Sequence, residues 1–490
     1  MTNPILVGGN GTTQVFINPR YANRHGLVAG ATGTGKTVTL QCLAESFSDI
    51  GVPVFMADVK GDIAGISQPG SPHPKIDERL ALIGIEGFQQ RGYPVSFWDV
   101  FGESGTPVRT SISDMGPQLL SRLLDLNETQ ESVLNVVFEF ADQEGLLLVD
   151  MPDLRTTLEY LAEHSSELGA GYGVAKASVN AILRKLLGLE REGGRQLFGE
   201  PALRLSDLMQ TTREGRGVIN VLAADNLIRS PRVYSTFLLW LLSELFEQLP
   251  ELGDPEKPVL VFFFDEAHLL FKEAPKPLLE KIEQVVRLIR SKGVGVYFIS
   301  QSPSDMPDAI LAQLGNRIQH ALRAYTPSEQ KAVRVAAQSF RTNPNLDTAA
   351  VISEMAVGEA LVSTLQDKGV PSMVERVLVR PPHSRMGPIS ANERSAVLAH
   401  DPNQRIYKDA VDPRSAHEIL QERMEQVQAQ AQEAKANVQA KRAAPAASRS
   451  SGQSNAEAFA KSMARSLGTA AGSTLGRQLL RGVLGSLLKK

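Results

Sequence analysis

The 490-residue sequence predicts an α/β fold built on a mainly parallel central sheet, and three observations carry that prediction. A glycine-rich string, Gly30-Ala31-Thr32-Gly33-Thr34-Gly35-Lys36-Thr37, sits between a short apolar run and a helix-periodic segment. That strand–turn–helix setting is what a phosphate-binding loop requires. Short apolar runs opened by proline recur between helical segments, and strand–helix–strand order implies parallel pairing with helices on the faces. A further apolar run, Val259–Phe264, ends in the adjacent acids Asp265 and Glu266.

In chain order, a β-rich N-terminal piece ends in a strand at residues 26–30. Residues 36–50 read as a helix, because Val38, Leu40, Leu43, Ala44 and Phe47 supply one apolar face. Strands follow at Pro53–Asp58 and Pro94–Asp99. From about Gly116 to Thr212 helical spacing replaces strand patterning, which marks an all-α insertion. Strand signals resume at Gly217–Ala223, Pro258–Asp265, Gly295–Gln301 and Val357–Leu365. Near-continuous apolar strands suit a sheet covered on both faces. Residues 416–442, rich in Ala, Gln and Glu, read as a long solvated helix whose apolar positions fade after Val427. The predicted organisation is a core in two parts (1–115 and 213–390), an insertion (116–212), a helical extension (391–442), a flexible linker (443–455) and a basic amphipathic tail (456–490). The tail carries Lys461, Arg465, Arg477, Arg481, Lys489 and Lys490 against Glu457. Packing on its own protein, docking on another subunit, and binding a membrane surface or nucleic-acid backbone are all open to it.

Composition narrows the function classes. Cys42 is the single cysteine, so a disulfide scaffold is excluded, and it reads as a small buried residue. The eight histidines are scattered, so no structural metal centre is expected. A net charge of −3 excludes a wholly basic nucleic-acid binder; contact with DNA would need a local patch or a ring of charge. Met1–Gly11 lacks a signal-peptide pattern, and Phe237–Leu242 and Val259–Phe264 are too short to span a bilayer, so a cytoplasmic protein is expected.

The chemistry of the loop follows from its residue types. Glycines let backbone N–H groups curl around phosphates at a helix N-terminus. Lys36 would reach the β- and γ-phosphates, and the Thr37 hydroxyl would ligate Mg²⁺. The expected ATP-binding set is Gly30, Ala31, Thr32, Gly33, Thr34, Gly35, Lys36, Thr37, Val38 and Asp58. Asp265 would hold Mg²⁺ and Glu266 would act as general base. Gln301, at the end of the next strand, would sense the γ-phosphate and orient water. Asp58-Val-Lys-Gly-Asp62 either faces the nucleotide crevice beyond its strand or simply forms a tight turn.

The ordered set of phosphate loop, Asp58–Asp62, helical insertion, Phe262–His268 (FFFDEAH) and Tyr297–Pro307 (YFISQSPSDMP) resembles the HerA–FtsK superfamily. It looks most like the bacterial HerA-like helicase C-terminal-domain proteins, and Leu314–Ile318, His320–Arg323 and Val357–Val362 agree. The resemblance covers about residues 1–390. It implies a RecA-like Mg²⁺-dependent ATPase assembled as a homo-hexameric ring, with ATP at subunit interfaces and arginines entering the neighbour's site. Arg317 and Arg323 are the candidates, though each also reads as a surface arginine in a salt bridge. Duplex DNA is the implied partner, with a translocase or helicase-like motor as the implied function. The alternative is a nucleotide-dependent assembly ATPase whose tail reads a protein or membrane partner. Archaeal HerA carries a β-barrel ahead of its ATPase; here 29 residues precede Gly30, so a HerA-type nuclease partnership is not expected. Asp265-Glu-Ala-His268 also matches a DEAH-box string, but no arginine-rich Q-R-x-G-R motif follows and 229 residues separate Lys36 from Asp265. His268 reads as a helix-start residue.

Overall fold

The structure is a computed structural model that describes residues 3–164, 173–272 and 276–443. The strands are β1 (Ile5–Gly9), β2 (Gln14–Ile17), β3 (Gly26–Ala29), β4 (Val54–Asp58), β5 (Val95–Asp99) and β6 (Thr106–Pro107). They continue with β7 (Ile219–Ala223), β8 (Leu260–Phe264), β9 (Val294–Ser300), β10 (Asn316–Gln319), β11 (Glu359–Ser363) and β12 (Glu375–Val379). Among the described residues they form one twelve-stranded sheet in the order β2-β1-β12-β11-β10-β3-β9-β8-β4-β7-β5-β6.

From β10 to β6 every neighbouring pair is parallel. The other edge, β11, β12, β1 and β2, is antiparallel. This is an α/β fold with a mainly parallel sheet, as the strand–helix–strand order predicted. The antiparallel edge is weakly legible in sequence. Strand β12 (ERVLV) is only partly buried, so its apolar signal is diluted.

Strand β8 shows why apolar runs mark this sheet. Phe262 and Phe264 enter one core, with Phe298 and the buried helix Pro231–Gln248. Val261 and Phe263 enter the opposite core, with Phe47 and Tyr297. Successive strand side chains point to opposite faces, so a strand covered twice needs apolar residues throughout. Each buried Phe contributes roughly 1.5–3 kcal/mol of transfer free energy. Helix α1 (Lys36–Asp49) supplies Leu40, Leu43, Ala44 and Phe47 to the second core.

Between β6 and β7 lie the helices of the insertion, which pack into the first core: Ile112–Leu123, Glu128–Glu144, Met151–His164 and Lys176–Leu189. The long helix Ala416–Ala443 corrects the expectation of a wholly solvated element. Ala416 and Leu420 are buried, and the Asp153 carboxylate accepts from Ser415 Oγ (2.5 Å) and His417 N (2.7 Å). Only from Glu425 onward are its described side chains uniformly exposed. The expected linker beyond Ala443 and the tail 456–490 lie outside the described residues. Among the described residues no helix is long and apolar enough to cross a membrane.

Candidate functional site

The glycine-rich loop leaves β3 and enters α1, whose N-cap is Gly35 in the left-handed region (φ +114°). Lys36 is buried and folds back over the loop, donating to Gly30 O (2.6 Å) and Ala31 O (3.1 Å). The Thr34 hydroxyl donates to Ala31 O at 2.7 Å. Ala31, Thr37 and Val38 are partly exposed, while Thr32 and Gly33 form the exposed tip.

Strand β9 lies between β3 and β8, so the loop and the two acids share the carboxyl end of the sheet. Burial pushes the Lys36 ammonium below its usual range, and the negative charges of Glu266 and Asp265 offset part of that shift. Asp265 Oδ1 accepts the Glu266 N–H at 2.9 Å, while its buried Oδ2 has no hydrogen-bond partner among the described residues. Burial, then the neighbouring Glu266 charge, raises the Asp265 pKa to about 6.

Glu266 occupies left-handed backbone (φ +47°), uncommon for a residue other than glycine and typical of functional strain. Its Oε1 accepts from Lys60 Nζ at 2.5 Å; its Oε2 lies 3.5 Å from Gln301 Nε2 and 3.3 Å from His268 Nδ1. Burial pushes the Glu266 pKa up, but the Lys60 hydrogen bond and charge outweigh it, and the net shift is downward. Lys36, Asp265, Glu266 and Gln301 are therefore brought together from three strand ends.

Two expectations are corrected. The Asp58 carboxylate is turned into its own loop, where it accepts from the N–H groups of Gly61 (2.8 Å), Asp62 (3.2 Å) and Ile63 (3.2 Å). The tight-turn alternative describes it, and the turn delivers Lys60, which sequence reasoning missed although the Lys-Gly pair was in view. Arg317 donates to Leu314 O (3.1 Å), Ser339 O (3.0 Å) and Leu311 O (3.0 Å). Each of its three guanidinium nitrogens thus donates to a carbonyl of its own chain, which holds the side chain in place within the subunit. Arg323 is exposed, with one bond to Ser353 O at 3.0 Å.

A second residue missed is His320, buried behind the loop. Its Nδ1 lies 2.8 Å from Glu359 O, a pure acceptor, so Nδ1 donates. Burial lowers its pKa to about 4, so the ring is neutral and Nε2 accepts from Thr39 Oγ1 at 2.8 Å. Cys42 is buried and its thiol is pushed up to about 12 by burial.

The donor set fits a divalent cation bound together with phosphate. Asp265 Oδ2 is an orphaned buried acceptor, and a carboxylate left so is costly unless an ion or donor completes it. Among the described residues no group of three or more His, Cys, Asp or Glu could hold a metal by itself. Mg²⁺ suits such a site because it takes one or two protein oxygens and fills its octahedron with phosphate and water.

This geometry predicts a stability effect. The folded-state pKa of Asp265 is raised, so its carboxylate destabilises the fold above about pH 6, and the cost vanishes as pH falls toward 4. Asp265→Asn is expected to stabilise the nucleotide-free, chelator-treated protein by about 2 kcal/mol at pH 7.5. Urea melts at pH 7.5 and pH 5 check this: a gain that does not shrink at the lower pH contradicts the assignment.

Comparison with known proteins adds the following. A family model described as "Helicase HerA-like C-terminal" matches residues 4–490. The DNA double-strand break repair helicase HerA of Sulfolobus acidocaldarius is 22% identical over 383 residues, covering 73% of this chain and 65% of that protein. HerA of Saccharolobus solfataricus is 22% identical over 372 residues, covering 73% and 64%. The chain thus spans slightly less than two thirds of the length of the curated relatives it matches. Among solved structures, the unbound bacterial conjugative coupling protein TrwBdeltaN70 superimposes with a TM-score of 0.48 at 16% identity, covering 78% of this chain and 91% of that one.

Proposed function

The chain belongs to the HerA-like C-terminal family of helicases, and from that premise we propose that it is a Mg²⁺-dependent ATPase working as a ring motor on duplex DNA. The observation that carries this reading is the convergence of Lys36, Asp265 with its Oδ2 unpartnered among the described residues, Glu266 and Gln301 at the carboxyl end of the central strands.

In this reading the loop amides and Lys36 hold the triphosphate. Thr37 and Asp265 would hold Mg²⁺, which would supply positive charge to offset that of the triphosphate. Gln301 positions a water in line with the γ-phosphorus, and Glu266 accepts its proton. A bond forms from water oxygen to phosphorus, the bond to the bridging oxygen breaks, and ADP and phosphate leave. Lys60 holds Glu266 ionised and in place. Arg323, the exposed candidate, would stabilise transition-state charge in an adjacent subunit of a homo-hexamer.

An ATPase assay with and without duplex DNA, paired with native mass measurement, tests the reading. Stimulation by DNA and a hexamer are expected; ATP-dependent assembly with no DNA response would favour a scaffolding ATPase instead. The trans role has its own test. Lys36→Ala and Arg323→Ala are each expected to be inactive, and mixing them should restore activity by pairing an intact loop with an intact arginine. No recovery on mixing would place Arg323 outside the neighbour's site.

A further inference from the structure

We propose that Lys60 senses the γ-phosphate: in the empty site its ammonium is paired with Glu266, and a bound triphosphate draws it away and so frees that base for hydrolysis. The proposal rests on the nucleotide-binding reading of the loop 30–37 and adds the group that tells ATP from ADP there.

Sheet order brings the two side chains together. Strand β4 lies beside β8, and Lys60 and Glu266 each follow one of those strands. The turn that carries Lys60 is fixed at its base. Asp58 accepts the N–H groups of Gly61, Asp62 and Ile63, and Gly61 takes the left-handed backbone (φ +71°) that the turn requires. The far end of Lys60 is free to move. Its side chain is 43% exposed, against 8% for Glu266, and among the described residues its Nζ bonds only Glu266 Oε1. The hold on Glu266 is therefore conditional on what else the ammonium can reach.

That hold keeps the base idle. Lys60 Nζ sits on Oε1 at 2.5 Å, while Gln301 Nε2 and His268 Nδ1 face Oε2 at 3.5 Å and 3.3 Å. A carboxylate neutralised by an ammonium is a weaker proton acceptor than a free one. Lys60 is also placed to meet the substrate. Its charge reaches the Lys36 ammonium together with those of Glu266 and Asp265, which puts it at the end of the site that the γ-phosphate enters. A terminal phosphate offers three strong acceptor oxygens and roughly 1.5–2 negative charges, against two oxygens and one charge on Glu266. It therefore outcompetes Glu266 for a point charge on a flexible four-carbon stem. ADP ends one phosphate short, so Lys60 stays on Glu266 and the base stays idle.

The test measures affinity for ADP and for the non-hydrolysable analogue β,γ-imido-ATP, each with Mg²⁺, by calorimetry on the full chain. Lys60→Met keeps the stem without the charge. It should weaken imido-ATP by about tenfold or more and leave ADP within about twofold, which also shows the loop still folded. Glu266→Gln reports the hand-over, because it loosens Lys60 before the ligand arrives. It should tighten imido-ATP by about two- to threefold, and that gain should be absent when Lys60→Met is added. Unchanged imido-ATP affinity in Lys60→Met, or parallel loss of both ligands, overturns the sensor. No gain in Glu266→Gln, or the same gain without Lys60, overturns the hand-over. If wild type binds neither ligand, the reading of the loop fails instead, and the failures are distinct.

Discussion

Glu266→Gln should lower ATP turnover by about 10²–10⁴-fold while leaving ATP affinity within a few-fold of wild type. The backbone that aims this side chain is pinned on both sides. Asp265 Oδ1 takes the Glu266 N–H at 2.9 Å, and Ala267 N donates to Ile299 O at 2.8 Å. The left-handed turn therefore persists in the variant, because glutamine has the same shape. What is lost is a proton acceptor. Glutamine cannot take the proton of an attacking water, and it replaces a charge-assisted bond to Lys60 with a neutral one. Binding rests on the loop, which the substitution does not touch, so kcat falls and affinity does not. The downward shift of Glu266 means the base stays ionised well below neutral pH, so acid should not inactivate it before the fold is affected. Single-turnover hydrolysis beside nucleotide titration is the measurement. Turnover within threefold of wild type would remove Glu266 from the chemistry.

The second large effect lies behind α1. Arg380 and Glu45 form a buried pair, Nη2 to Oε2 at 3.1 Å, with side chains 7% and 0% exposed. Arg380 Nη2 also donates to Cys42 O (2.7 Å) and Ser46 Oγ (3.0 Å). Glu45 accepts further from His383 N (3.1 Å), Ser384 N (2.9 Å) and Ser384 Oγ (2.5 Å). The segment after β12 is thereby tied to the helix that carries Lys36 and Thr37. Arg380→Ala leaves a buried carboxylate without its cation and is expected to cost about 3–5 kcal/mol. Replacing both partners with methionine should recover much of that loss, because desolvating a pair already offsets most of its attraction. Urea unfolding of the single and double variants measures this. A single-variant loss below about 1 kcal/mol would mean that the pair does not hold the segment.

Some of the site was legible because its chemistry is written in contiguous strings. A phosphate cradle is made of successive backbone N–H groups, so Gly30–Thr37 carries its own signature. Likewise Phe262–Glu266 announces a doubly covered strand with acids at its end. Gln301 followed from its place at the end of the next apolar run; in the structure it is the first residue past β9. Asp58 shows the limit of that logic. Its place beyond a strand end pointed to the nucleotide, but three backbone N–H groups of its own turn use up the carboxylate. Arg317 and Arg323 are six residues apart and indistinguishable as text; only the carbonyls around Arg317 separate them.

The sequence alone determined the fold class, the loop and the acids, since each depends on local backbone geometry or on the period of a single strand. Tertiary structure decided the pairings: Lys60 with Glu266, His320 with Thr39, and Arg380 with Glu45. Those partners meet because β9 inserts between β3 and β8 while β11 and β12 close the other side. Strand order is a long-range outcome of burying both faces of one sheet, and no short window of residues encodes it.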